Sequence, residues 1–162
     1  MIYKQGKLLF FLTLIISVLS GCWPQQEKKN GLLVINVLDQ ELYNDCHIAG
    51  SINVPFDMIE ECAATFDKDA DLVIYCSNYQ CSTSEYAARK FLEMGFKKVC
   101  VYEGGTAEWF QNGLPIKGPH KQLYLHKICQ KPEFDSGAAI SVISIKELVE
   151  KMGIQADQKR AA

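Results

Sequence analysis

Between Leu72 and Met94 the chain reads L-V-I-Y-C-S-N-Y-Q-C-S-T-S-E-Y-A-A-R-K-F-L-E-M, and few folds accommodate that order of residues. Leu72 to Tyr75 is a short apolar run with the β-branched and aromatic content of a buried strand, too short for a free-standing helix. It ends at Cys76. The polar or turn-tolerant residues Ser77, Asn78, Tyr79, Gln80 and Cys81 follow. Ser82, Thr83 and Ser84 then offer hydroxyls to cap a new helix, which carries Tyr86, Ala87, Phe91 and Met94 on one repeating face and stops at Gly95. The pattern predicts a cysteine at the C-terminal end of a strand, under a loop that opens into a helix N-terminus. Backbone N–H groups and the positive end of a helix dipole favour negative charge there, and both lower a thiol's pKa. Cys76 therefore reads as a nucleophile. A buried structural thiol is the plainer alternative, because free cysteine packs as a small hydrophobe.

The rest of the chain supplies the elements such a unit needs. Leu32 to Val37 is near-continuously apolar, as expected of a strand covered on both faces. Ile52 to Val54 suits a short strand closed by Pro55, and Phe56 to Thr65 carries one helical stripe. Lys98 to Tyr102 predicts another strand, and Ala107 to Gln111 a short helix ended at Asn112-Gly113. Strands alternating with helices imply an α/β fold with a parallel sheet and helices on both faces. With 162 residues, one domain is expected, and a net charge of −2 argues against a nucleic-acid surface. Past Gly118, Ser144-Ile145-Lys146-Glu147 is a capping-box pattern, with Ile145, Leu148, Val149 and Met152 on one stripe and Gly153 as a stop. That helix has an apolar face to bury, against the domain or against a protein partner.

Residues 1–21 stand apart from the fold. Lys4 and Lys7 precede an apolar run, Leu8 to Leu19, that is too short to span a bilayer as a standard helix. Leu19-Ser20-Gly21-Cys22 follows, and the segment resembles a bacterial lipoprotein signal with its lipobox. The resemblance implies removal of 1–21, acylation of Cys22, and a mature chain of charge −4, since the removed part holds two lysines and no acid. Multiple acyl chains anchor stably where one gives marginal binding. Residues 22–31 read as a polar tether. The expected location is the cell envelope, lipid-anchored and facing the periplasm or the exterior, with the outer membrane favoured because Trp23 is not the aspartate associated with inner-membrane retention. Six cysteines remain beyond Cys22, at 46, 62, 76, 81, 100 and 129; an even number in an exported chain invites disulfides, yet the chain is long enough to bury a core without them, so apart from Cys76 and Cys81 they read as packed thiols.

From Leu32 to about Gly118 several spaced motifs occur in register. Val34-Ile35-Asn36-Val37, His47-Ile48-Ala49-Gly50-Ser51-Ile52-Asn53-Val54-Pro55, Val73-Ile74-Tyr75-Cys76, Gly95-Phe96-Lys97-Lys98-Val99 and Tyr102-Glu103-Gly104-Gly105-Thr106-Ala107-Glu108-Trp109 together resemble a single rhodanese (sulfurtransferase) domain. The resemblance implies a small parallel-sheet domain over 32–118, with 119–162 as a C-terminal extension bearing a helix at about 144–152. It implies sulfane sulfur carried as a persulfide on Cys76, a sulfur donor and a thiol acceptor as partners, no cofactor and no metal. His47 and Trp109 read as interior residues in such a fold, and Gly104-Gly105 as relief of backbone crowding at a turn.

The departures from the family pattern fall in the loop. The family's C-x-x-G-x-R-S is here Cys76-Ser77-Asn78-Tyr79-Gln80-Cys81-Ser82, with Tyr79 in place of glycine and Cys81 in place of arginine. Leu38 likewise replaces the arginine common after the first strand. The loop arginine would hold an anionic donor such as thiosulfate by a charged, bidentate hydrogen bond. Ser82 stands where cysteine phosphatases need their arginine, which excludes that chemistry. Cys76 and Cys81 have only loosely the spacing of a zinc pair, and no second pair lies near in sequence. His120, His126 and Cys129 are a scattered set in a loop. Two readings besides the sulfurtransferase stay open, a weakly catalytic binding module and a thiol redox protein in which Cys81 resolves Cys76 as a disulfide.

Overall fold

The computed structural model describes residues 31–128, 130 and 140–155. The apolar runs form the strands expected of them, β1 at Leu32–Asn36, β4 at Asp71–Tyr75 and β5 at Lys98–Tyr102. Between β1 and β4 lie helix α1 at Gln40–Asp45, the short strands β2 at His47–Ile48 and β3 at Ile52–Asn53, a 3₁₀ turn at Phe56–Met58 and helix α2 at Ile59–Ala63. The single helical stripe expected over 56–65 is thus two pieces. Met58 sits at φ −98°, ψ 1°, outside the helical region, and interrupts the run. Helix α3 spans Thr83–Glu93 and helix α4 spans Gly105–Gln111.

The sheet is parallel throughout, in the order β3-β1-β4-β5-β7, where β7 is Ser141–Val142. Its three central strands are in simple register, Ile35 beside Ile74 beside Val101 and Asn36 beside Tyr75 beside Tyr102. Because side chains alternate along a strand, one face carries Ile35, Leu72, Ile74 and Val101, packed on Cys62 and Ala63 of α2 and on Ala87, Ala88 and Phe91 of α3. The opposite face carries Val34, Val73, Tyr75 and Tyr102, packed on Trp109 of α4 and Leu148 of α5, which spans Ile145–Met152. Both faces are covered, the condition under which a parallel sheet with near-continuous apolar strands is stable.

Past Gly118 the chain continues into the same core. Just before Gly118, β6 at Ile116–Lys117 pairs antiparallel with β2, and beyond Gly118 a 3₁₀ turn at Leu123–His126 packs on α4 with Leu125 fully buried. β7 then adds to β5 in parallel, with Cys100 beside Ser141 and the Ile143 amide on the Val101 carbonyl at 2.9 Å. Ser144 caps α5 with both halves of a capping box, and Gly153 ends it in the left-handed conformation.

Candidate functional site

Cys76 follows the last residue of β4 and continues its alternation, so its side chain lies on the α2–α3 side of the sheet and is fully buried. The loop it opens is fixed at its base by α4. The Thr106 amide donates to the Cys76 carbonyl at 3.0 Å and the Ala107 amide to the Ser77 carbonyl at 2.9 Å. These are first-turn N–H groups with no partner inside a helix, and the loop satisfies them. Such closeness requires a glycine at the start of α4. Gly105 has φ +60°, and a Cβ there would stand 2.6 Å from the Cys76 carbonyl oxygen.

Inside the loop Asn78, nearly buried, ties two amides. Its side-chain oxygen accepts from the Gln80 amide at 2.9 Å and its carbonyl from the Cys81 amide at 3.0 Å. Those amides therefore do not face the Cys76 sulfur, contrary to the expectation of a loop whose N–H groups converge on it. Cys76 Sγ instead donates to the Cys81 carbonyl at 3.0 Å and meets the Ser84 hydroxyl at 3.3 Å, with the Ser84 amide beside it. Ser82 occupies the cap position of α3, but no side-chain cap bond forms. The hydroxyls read as caps serve the sulfurs, Ser84 at Cys76 and Thr83 at Cys81 Sγ at 3.4 Å.

What faces each sulfur, and the influence of each thiol on the other, sets their ionisation. Cys81, half-buried at the head of α3, receives the Cys76 thiol, the Thr83 hydroxyl and the amides of Thr83 and Ser77, which together hold it well below its ordinary value, at about 4. Cys76 is pushed up, first because its proton is held on Cys81 and then by burial. Low thiol pKa was expected at Cys76. The structure places it at Cys81, because Cys76 faces a carbonyl and an anion whereas Cys81 faces donors.

The surroundings are acidic. Tyr79, in the family's glycine position, donates from its hydroxyl to Glu108 Oε1 at 2.9 Å, and Tyr102 donates to Glu108 Oε2 at 2.7 Å. Arg89, the one arginine among the described residues, is paired with Glu85 at 2.7 Å on the exposed side of α3. Leu38 contributes its backbone, its amide donating to Asn36 Oδ1 at 2.9 Å. His47 is a half-buried hydrogen-bonding residue, its Nδ1 at 2.8 Å from the Tyr43 carbonyl and its ring stacked on Tyr43. Among the described residues no group of three metal-ligating side chains converges, and Cys22 and Cys129 lie outside them. A groove lined by Lys97, Lys98, Cys100, Ser141, Glu147 and Lys151 opens at the other end of the strands, away from Cys76 and Cys81.

Residues 23–112 match the family model of the rhodanese-like domain. The chain belongs to the rhodanese-like domain family. It is 30% identical over 82 residues to the thiosulfate sulfurtransferase GlpE of Coxiella burnetii, covering 51% of this chain and 75% of that one. To the GlpE of Pseudomonas paraeruginosa it is 33% identical over 85 residues, covering 52% and 76%. Among solved structures it resembles the BH2092 protein of Bacillus halodurans with a TM-score of 0.53 and 30% identity, over 57% of this chain and 67% of that one. The Alr3790 protein of Anabaena sp. gives 0.51 and 26%, over 56% and 70%. The parallel α/β architecture agrees with that membership. Sequence reasoning named the loop cysteines but missed Thr83, Ser84, Thr106 and Glu108 as residues that touch or hold the loop. A serine early in the helix after a nucleophilic cysteine was the available signal, and the capping rule claimed it first.

Proposed function

We propose that this rhodanese-like protein is a sulfurtransferase that carries sulfane sulfur as a persulfide on Cys76, tethered to a membrane through lipid on Cys22. The observation that carries the reading is the seat of Cys76 at the end of β4, under a loop that continues directly into α3, with the Ser84 amide and hydroxyl at its sulfur. Similarity to thiosulfate sulfurtransferases at about 30% identity supports the reaction class.

As the donor's sulfane sulfur approaches, the Cys76 thiol gives its proton to the solvent admitted with it, and the freed Cys76 sulfur attacks. The donor's S–S bond breaks, its remainder leaves with the electron pair, and Cys76 holds the terminal sulfur. The persulfide anion is then met by the Ser84 donors and the positive end of α3. Because Cys76 is covered, the Ser77–Ser82 segment parts to admit the donor. With Cys81 in the arginine position and Glu108 behind Tyr79, the loop offers a dianion no fixed cation, so a neutral or singly charged organic polysulfide is the better donor class.

Intact-mass measurement of the Cys81→Ser protein after exposure to polysulfide tests the reading, with a gain of one sulfur on Cys76 expected and none in Cys76→Ser. A persulfide on Cys81 in Cys76→Ser would move the nucleophile, and no added sulfur under any donor would leave a binding module. For the anchor, labelled fatty acid should enter the wild-type protein and not Cys22→Ser; equal labelling of both overturns the tether.

A further inference from the structure

In the family's loop pattern an arginine stands five positions after the nucleophile; here the same position is a second thiol, and its backbone carbonyl meets the first thiol's sulfur. Three observations bear on what that thiol does. Cys76 Sγ is 3.0 Å from the Cys81 carbonyl, so the loop folds Cys81 back onto the sulfur of Cys76. Cys76 is fully buried, so an external thiol acceptor has the same covered approach as the donor. Cys81 is only partly buried, inside the site and nearer its surface than Cys76.

We propose that Cys81 is the acceptor for the Cys76 persulfide, so that the protein discharges its sulfur as sulfide and stores the oxidising equivalents as a Cys76–Cys81 disulfide. The inference rests on Cys76 being the sulfur carrier. The Cys81 thiolate then attacks Cys76 Sγ, the inner atom of the persulfide, and a Cys76–Cys81 bond forms as the bond to the outer sulfur breaks. The outer sulfur departs with the electron pair and takes a proton from solvent, leaving as hydrosulfide. Two electrons reduce the sulfane sulfur to sulfide, and the two cysteines lose them. An external dithiol, entering by thiolate attack at the Cys81 sulfur, the less covered of the two, closes the cycle by reducing the disulfide. A partner thiol held in the same loop acts at an effective concentration no diffusing acceptor matches, so discharge outruns transfer to a free thiol. The proposal also accounts for the lost arginine: a cation there would fix a dianionic donor, whereas a thiol there consumes the product.

The test is a single anaerobic turnover of the reduced full-length protein in detergent, with no added thiol, using thiosulfate and, separately, inorganic polysulfide. Wild type is expected to lose the mass of two hydrogens, resist alkylation at Cys76 and Cys81, and release with thiosulfate one sulfite and one sulfide per chain. Cys81→Ser is expected to gain one sulfur on Cys76 and release no sulfide, and a no-donor control to keep both thiols. Wild type that holds a lasting Cys76 persulfide with Cys81 still alkylatable overturns the inference while leaving the carrier role intact. Absence of added sulfur in Cys81→Ser, with neither sulfide nor disulfide in wild type under either donor, overturns both.

Discussion

Two thiols in one loop ionise differently because of what faces each sulfur. Cys81 collects the Thr83 hydroxyl, two amides and the Cys76 thiol, and Cys76 faces a carbonyl and that anion. From about pH 4 to beyond the ordinary thiol value the pair carries one charge, on Cys81. The sign for stability follows separately for each group. Cys81, depressed on folding, contributes stability that is full above the unfolded thiol value near 9 and is lost as pH falls towards 4. Cys76, raised on folding, contributes stability that is full below that value and is lost as pH rises past it. Alkylation with iodoacetamide at mildly acidic pH, followed by peptide mapping, is therefore expected to label Cys81 well before Cys76. Labelling of Cys76 first would reverse the assignment. In Cys81→Ser the acid-side reactivity should vanish and Cys76 should react only in the alkaline range.

At the scale of elements, the site is a seam between β4, α3 and α4, and Gly105 is where the seam is tightest. Alanine there has to hold φ +60° and place its Cβ against the Cys76 and Ser77 backbone, so Gly105→Ala is expected to cost about 1–3 kcal/mol and to slow persulfide formation with it. Urea melts and single-turnover mass measurements read the two effects; wild-type values in both would mean the loop can retreat from α4. At the other end of the chain, Ser144→Ala removes the Glu147 amide's cap and should cost about 1 kcal/mol by the same melts. The Ser144 capping box and the central strands were legible because each is encoded in a short window. Elements made by distant pairing were not. β7 is two residues, Ser141 and Val142, both exposed, and exists because β5 offers it an edge. Helix α1 lacks a buried residue and so has no stripe to read. The loop's chemistry was half legible: spacing put Cys81 near Cys76, but only the packed loop shows that Asn78 takes the amides and Ser84 meets the sulfur.

At the scale of the molecule, the segment beyond Gly118 closes the fold that holds the site. β7 covers the edge of β5, whose strand end carries Tyr102 to Glu108 and so braces Tyr79 over the loop. Leu125, Ile140, Ile143 and Leu148 are all buried, and Lys151 reaches Asp71 at the start of β4 at 3.0 Å, an exposed pair that adds little. Each buried aliphatic side chain contributes about 1.5–3 kcal/mol by burial, so the segment supplies an amount comparable to the whole stability of a typical domain, about 5–15 kcal/mol. Leu148→Ala, which opens a cavity against Trp109 and Tyr102 in the same core, should cost about 2–5 kcal/mol. A chain stopped after Gly118 is then expected not to fold cooperatively, although it retains every residue matched by the family model. Calorimetry of the truncated chain beside the full one decides the point: a single unfolding transition within a few degrees of the full chain's would show that the core needs neither β7 nor α5.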